Sequence, residues 1–204
     1  MRSRLHRGVR IAAAGGVTTA SWMAVLGAAA ATALALAAVE PIMATQAPIL
    51  SERQIKAAFI YNFTKYVEWP AQRFASDDAP LVIGVFGRSP FGAELQEIAQ
   101  TRKVGGRDVV VKQIETAEEA TAVHVVFFGA ADDDHVAEML AALRNVPVLT
   151  VGESAKFAAA GGMITFVRKT DQVRFEIAAD SVERAGLKIS SQLLKLAKPG
   201  LKQP

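Results

Sequence analysis

The run Asp132-Asp133-Asp134-His135 looks like a metal cluster at first sight, because carboxylates and an imidazole are common metal ligands. Asp132 and His135 are three residues apart and could share one face of a helix. The successive aspartates point in different directions, however, and a stable site needs further ligands from elsewhere in the chain. An acidic first turn also stabilises a helix through its macrodipole without a metal. We therefore predict no metal site and no cofactor.

A second candidate is the glycine-rich stretch at residues 84–92, where a strand pattern gives way to a helix pattern. Backbone N–H groups at a helix start can bind an anion, and Arg88 and Ser89 could assist. The glycines do not match G-x-G-x-x-G, and the sequence contains no G-x-x-x-x-G-K-[ST] phosphate loop. An ordinary turn with Ser89 as N-cap is the simpler interpretation. A small-ligand or enzyme site at residues 87–89 stays open as the alternative.

Nucleophilic chemistry finds little support in the residue types. The sequence has three histidines and no cysteine, which excludes disulfides, thiolate metal sites and a cysteine nucleophile. His6 lies near the start of the chain and His124 opens a strand pattern. We find neither a Ser-His-Asp set nor a G-x-S-x-G elbow. The sequence therefore predicts a protein that is not an enzyme.

The formal charge of +3 belongs to the start of the chain. Four of the 23 basic residues lie in the first ten positions, and from Thr45 onward the remaining 19 are balanced by 19 acidic residues. Nucleic-acid binding needs a basic face, and a neutral body does not provide one. We therefore expect no nucleic-acid partner.

Residues 1–38 follow the three-part plan of a secretory signal peptide: a basic start, a long uncharged alanine-rich run and small residues before Val39. We predict export to the periplasm and cleavage near Ala37 or Ala38. A retained membrane anchor is the alternative, because the uncharged run is long enough to span a bilayer. Residues 39–50 are then a linker, residues 51–198 the folded domain and residues 199–204 a tail.

The stretch at residues 147–177 predicts the centre of a sheet. An apolar run at 148–151, a short helical segment at 154–160 and a second apolar run at 163–167 form a crossover, which implies parallel strands. A polar turn then leads into a third run at 173–177, which predicts an antiparallel hairpin.

The remaining segments alternate in the same way. Ser51 and Gln54 match a capping box for a helix that runs to about Val67. Further strands are predicted at 81–86, 107–114 and 123–128, and further helices from Ser89, at 132–144, from Asp180 and at 187–197. This alternation predicts an α/β fold with a mainly parallel sheet, one antiparallel hairpin and helices on both faces, a three-layer sandwich.

Five aromatic side chains are concentrated in and just after the first predicted helix. Phe59, Phe63 and Tyr66 share one helical face, and we expect them in the core. Tyr61 and Trp69 fall on other faces and could be exposed.

The segment at residues 56–70, KAAFIYNFTKYVEWP, resembles the opening signature of the YfiR/HmsC-like periplasmic proteins. Later blocks are similar too: PVLTV at 147–151, GGMI at 161–164, VRFEI at 173–177 and AGLKISSQLLKLA at 185–197. The resemblance implies a homodimeric periplasmic repressor that binds the periplasmic part of an inner-membrane diguanylate cyclase or other sensor. Such binding keeps the cyclase inactive and lowers cyclic di-GMP and biofilm output. Some members carry cysteine pairs, which are absent here.

The hairpin and the helix after it supply the predicted partner-binding surface, which comprises Ile164, Phe166, Glu176, Val182 and Leu187. Phe175 and Ile177 share one face of a strand, so Glu176 points to the other. A carboxylate with apolar neighbours is a plausible specificity contact. The alternative is that the four apolar residues are simply core. An exposed apolar patch would favour the regulator, and a convergent polar pocket at residues 87–89 would favour the ligand binder or enzyme.

Overall fold

The computed structural model describes residues 50–87, 89–132, 134–169 and 172–197. The predicted signal peptide, nearly all of the predicted linker, the tail and Arg88 lie outside the described residues.

Eight strands and seven helices make up the described fold. The strands are β1 (Val67–Glu68), β2 (Leu81–Phe86), β3 (Val109–Ile114), β4 (Val125–Phe128), β5 (Leu149–Gly152), β6 (Ile164–Lys169), β7 (Gln172–Ile177) and β8 (Lys188–Ile189). The helices are α1 (Glu52–Phe63), α2 (Gly92–Thr101), α3 (Ala117–Thr121), α4 (Val136–Leu143), α5 (Ala155–Ala159), α6 (Ala179–Arg184) and α7 (Ser191–Leu196).

Six strands form the central sheet in the order β3-β2-β4-β5-β6-β7. All neighbours are parallel except β6 and β7, which form the antiparallel hairpin. The chain moves outward from β2 to β3 and then returns to place β4 on the other side of β2. In a parallel sheet this reversal opens a crevice between β2 and β4, at the carboxyl ends of these two strands.

Both faces of the sheet are buried, which confirms the predicted three-layer arrangement. Val125 and Phe127 of β4 belong to one hydrophobic cluster, and the alternating residues Val126 and Phe128 belong to another. Side chains from α1, α2, α6 and α7 complete the first cluster, and those from α3, α4 and α5 complete the second. Continuous apolar strands are typical of parallel sheets because helices cover both faces.

The two ends of the domain meet in a way that the sequence did not predict. Helix α1 ends at Phe63 rather than near Val67, because β1 pairs antiparallel with β8. The same pairing replaces the start of the helix predicted at 187–197, so α7 begins only after Ser190. The Ser190 backbone N–H also donates to the carbonyl of Tyr66 at 2.9 Å. These hydrogen bonds join segments about 120 residues apart, and local periodicity does not report them.

Three helix starts also differ from prediction. α2 begins at Gly92, so Ser89 is not its N-cap, although the Ser89 hydroxyl accepts from the Phe91 N–H at 3.4 Å. α4 begins at Val136 after a 3-10 turn rather than at Asp132. The N-cap of α6 is Ala178, and Asp180 lies in its first turn.

The first helix contributes an aromatic cluster to the core, as predicted for Phe63. The Phe63 ring centroid lies 4.8 Å from that of Phe175 and 5.9 Å from that of Phe166. Phe59 packs against the same rings and is only partly buried. The expectation that Tyr61 could be exposed is wrong: it is buried, and its hydroxyl donates to the Lys103 carbonyl at 2.9 Å. Helix α2 and the loop after it cover this second face of α1.

Candidate functional site

The structure separates the five residues of the predicted partner-binding surface. Ile164, Phe166, Val182 and Leu187 are all buried in the same hydrophobic cluster. For these four the core alternative is correct, because α1, α6 and α7 cover their face of the sheet. Glu176 is partly exposed and pairs with Thr165 across the hairpin, on the opposite face from Ile164 and Phe166. A role for Glu176 in partner binding stays a prediction, and it does not share a surface with the other four.

An apolar groove lies next to two of these residues. Val182 and Leu187 form part of its floor, and its volume is about 310 Å³. The other lining residues come from α6, β8 and α7: Ala179, Glu183, Lys188, Ile189 and Leu194. We call this feature the α6–α7 groove.

Two exposed leucines lie on α7, and one of them, Leu194, lines the α6–α7 groove. Leu194 is 45 % exposed and Leu196 is 67 % exposed. Within the described residues the only other large exposed apolar side chain is Leu50, at 55 %. Single exposed leucines need no explanation, but Leu194 lines an apolar groove, and an exposed apolar side chain at a groove is of the kind that proteins use for contacts.

A polar cluster occupies the other candidate position, the crevice at the carboxyl ends of β2, β4 and β5. The Lys56 ammonium donates to the carboxylates of both Glu153 and Glu52. The second oxygen of Glu153 accepts from the Ala130 N–H at 3.1 Å. Ser89 lies at the rim of an adjoining cavity of about 240 Å³, which Lys56 and Glu153 also line. Polar groups therefore do converge near residues 87–89.

The charges in this cluster satisfy one another. Burial opposes the charged form of Lys56, but its hydrogen bonds to Glu153 and Glu52 outweigh burial, so its pKa is raised. The hydrogen bond to Lys56 and its positive charge lower the pKa of Glu52. A base or nucleophile needs a free lone pair near neutral pH, and a lysine held in its ammonium form by two carboxylates has none. The cluster joins α1 to the loops that follow β4 and β5, and its lysine is not available as a base or nucleophile.

The acidic run before α4 does not assemble into a metal site in the part of the chain that the structure describes. There, no three His, Asp or Glu side chains lie close enough to hold a metal ion. The exposed Asp134 carboxylate lies 3.5 Å from the Lys156 ammonium. His135 occupies the N-cap position of α4 without making a side-chain cap.

The amino ends of β2 and β4 hold a buried histidine that the sequence did not single out. His124 is 5 % exposed and stacks on Phe74, with ring centroids 4.4 Å apart. Its Nδ1 accepts from the Val82 N–H at 3.0 Å, so the ring hydrogen is on Nε2, which lies 3.2 Å from the Arg73 carbonyl oxygen. Burial and the nearby charges of Arg73 and Arg107 lower the pKa of His124 to about 4. Backbone groups therefore satisfy both nitrogens of a neutral ring, which makes His124 structural.

The sequence profile of the YfiR/HmsC-like family matches residues 53–198. The chain belongs to the YfiR/HmsC-like family.

In this YfiR/HmsC-like chain, the first and last sequence blocks that carry the resemblance contact each other. The opening block contains most of α1 and all of β1, and the last contains β8 and α7. The β1–β8 pairing joins the two and places α7, with its exposed leucines, at the edge of the domain.

Among solved structures, the chain is similar to a conserved domain protein from Vibrio cholerae O1 biovar El Tor strain N16961, with a TM-score of 0.48 and 13 % identity. The match covers 74 % of this chain and 60 % of that one. In the ranges given above, the YfiR/HmsC-like domain has no helix that is both long and apolar enough to cross a membrane.

Proposed function

We propose that this protein is a non-enzymatic periplasmic regulator that binds the periplasmic part of an inner-membrane diguanylate cyclase and holds the cyclase inactive. The observation that carries the proposal is the family match over residues 53–198, because the family is one of periplasmic regulators of cyclic di-GMP signalling. The basic and then apolar start of the sequence supports export, as a signal peptide would provide.

We further propose that the α6–α7 groove is the docking surface. Its floor is apolar, and the exposed Leu194 side chain lines it. Glu183 and Lys188 line the same groove, and charges of both signs around an apolar centre suit a specific protein contact. The occupant is a periplasmic segment of the cyclase with an apolar side chain that fills the groove.

Leu194→Asp tests this surface, with Leu50→Asp as the matched control. Both leucines are about half exposed, so neither change should alter the melting temperature by more than about 2 °C if surface substitutions stay within about 0.5 kcal/mol. In cells, a cyclic di-GMP reporter should rise in the Leu194→Asp strain to the level of a strain without the protein. The Leu50→Asp strain should keep the low level.

Photocrosslinking identifies the occupant of the groove. A photoreactive amino acid at position 194 should capture an inner-membrane protein with a cyclase domain, and the same probe at position 50 should not. If position 194 captures only a second copy of this chain, the groove is a homodimer interface instead. If deletion of the protein leaves cyclic di-GMP unchanged, the cyclase proposal is wrong whatever the groove binds.

The alternative of a ligand binder or enzyme at residues 87–89 has less support. Lys56 and Glu153, which line the same cavity as Ser89, already bind each other. A ligand at this position would have to displace one partner of that ion pair.

A further inference from the structure

A small cavity lined by residues of α4, α5 and α6 has two positively charged side chains and no negatively charged one. It has a volume of about 120 Å³ and lies between α4, α5 and α6. Arg144 and Arg184 both line it, and its lining includes no acidic residue. A single buried water needs only about 10–15 Å³, so the cavity has room for a larger polar group.

The two arginines have no carboxylate partner among the described residues. Arg53, by contrast, lies 3.1 Å from Glu94, and Arg168 lies 3.7 Å from Glu52. The only side-chain hydrogen bond of Arg184 within the described chain is to the Ser181 hydroxyl at 2.8 Å. The guanidinium groups therefore keep free N–H donors that can turn toward a ligand.

The hydroxyl groups in the cavity are also placed to donate. The Thr150 oxygen accepts from the Met163 N–H at 3.1 Å, which leaves the Thr150 hydrogen for another acceptor. The Ser181 oxygen accepts from Arg184, which likewise leaves the Ser181 hydrogen free. Two guanidinium forks and two hydroxyl groups can supply donors to several oxygens of one group at once.

Helix ends near the cavity do not cancel this charge. Arg144 is the C-cap of α4, Arg184 lies in the last turn of α6, and Ala159 and Ala160 end α5. If each of these three helix ends carries about half a negative charge, their sum is smaller than the two positive charges of the guanidinium groups. The cavity is then still net positive. Each arginine can stabilise the end of its own helix, and the cavity still keeps a net positive charge.

We propose that this cavity binds a phosphate group, with Arg144 and Arg184 as a clamp and Thr150 and Ser181 as hydroxyl donors. Arginine pairs suit phosphate because each planar guanidinium can donate two parallel hydrogen bonds to its oxygens. The cavity holds the phosphate group itself, and both arginines are exposed at its mouth, so the remainder of a phosphomonoester can stay in solvent.

The cavity and the α6–α7 groove lie on different sides of one short helix. Ser181 and Arg184 line the cavity, whereas Ala179, Val182 and Glu183 line the groove. The phosphate site does not rest on the proposed cyclase partner, because binding is measured on the isolated protein.

The test is a titration of the purified protein at constant ionic strength with inorganic phosphate, with glycerol 3-phosphate and with acetate. Binding is followed by NMR of the Gly161 amide and the arginine Nε–H groups, and by the melting temperature. Both phosphate compounds should give saturable shifts at Gly161 and Arg184 and raise the melting temperature, and acetate should bind more weakly. Tighter binding of glycerol 3-phosphate identifies a phosphomonoester as the ligand, and equal binding identifies free phosphate.

Arg144→Gln and Arg184→Gln should each weaken phosphate binding about tenfold or more, because each removes charge-assisted hydrogen bonds. Arg184→Lys should also weaken phosphate binding, since lysine keeps the charge but lacks the paired N–H donors of the planar guanidinium group. The matched control is Arg174→Gln, a change at an exposed arginine that is bonded to Gln172. If phosphate produces no saturable shift, or if all four variants weaken binding equally, the proposal is overturned. The melting temperature of each variant, measured without phosphate, verifies that the variant is folded.

Discussion

The buried His124 makes the stability of this domain depend on pH in a direction that can be worked out. The folded pKa is about 4, whereas the imidazole of an unfolded chain titrates near 6.5. Between these values the unfolded chain binds a proton that the folded chain excludes. The stability that the neutral His124 ring contributes is therefore fully present above about pH 6.5. It is lost progressively as the pH decreases, and the loss is complete below about pH 4.

The size of the effect follows from the pKa difference. Each pKa unit corresponds to about 1.4 kcal/mol, so the full loss over the difference of about 2.5 units is about 3.5 kcal/mol. Between pH 7.5 and pH 5 about 2 kcal/mol of this should be lost. Protonation is unfavourable because the ring is buried, because Arg73 and Arg107 are close and because Nδ1 already accepts from the Val82 N–H.

The measurement is urea unfolding at pH 7.5, 6.5 and 5 for the wild type and His124→Asn. The asparagine oxygen can replace Nδ1 as the acceptor for Val82 but does not titrate in this range. The variant should start less stable and lose about 2 kcal/mol less than the wild type on acidification. His135→Asn, a change at an exposed histidine outside this cluster, is the control. Equal pH dependence in the wild type and His124→Asn would refute the reasoning.

Three further predictions concern the core and the hairpin. Phe63→Ala should lower the free energy of unfolding by about 3–5 kcal/mol, whereas Leu50→Ala should change it by less than about 0.5 kcal/mol; similar urea midpoints for the two variants would contradict this. Gly162→Ala should destabilise by about 1–3 kcal/mol, because the new methyl group would overlap the buried Phe157 ring, and thermal melting measures it. Glu176→Lys should leave the melting temperature nearly unchanged, because Glu176 is partly exposed. If Glu176 contacts the cyclase, the same change should raise cyclic di-GMP in cells. A stable variant that still represses the cyclase fully excludes this residue from the interface.

Local sequence patterns predict much of the architecture. The continuous apolar runs of β2, β4 and β5 predict strands buried on both faces, and the structure places each near the predicted position. The capping box at Ser51 is formed as predicted, and its hydroxyl accepts from the Gln54 N–H. The predicted helical segment at 154–160 forms α5, and the structure adds Ser154 as its N-cap, whose hydroxyl accepts from the Phe157 N–H. Such features depend on residues within a few positions of one another, so one segment of sequence is enough to specify them.

The functional surfaces were predicted less well because burial is not a local property. Val182 and Leu187 have the apolar character of a contact surface, but α7 folds over them and leaves Leu194 exposed instead. Tyr61 was expected at the surface, but α2 and the loop after it cover it. A side chain's type does not reveal which distant segment covers it.

The sequence alone thus determined the α/β class, the parallel crossover, the hairpin and the family resemblance, since each rests on residues that are near neighbours along the chain. Only the tertiary structure decided the β1–β8 pairing, the neutral state of His124, the α6–α7 groove and the cavity between Arg144 and Arg184. Each of these joins groups that are distant in sequence. Their positions depend on how complete helices and strands pack against one another, and packing is set by the whole chain at once.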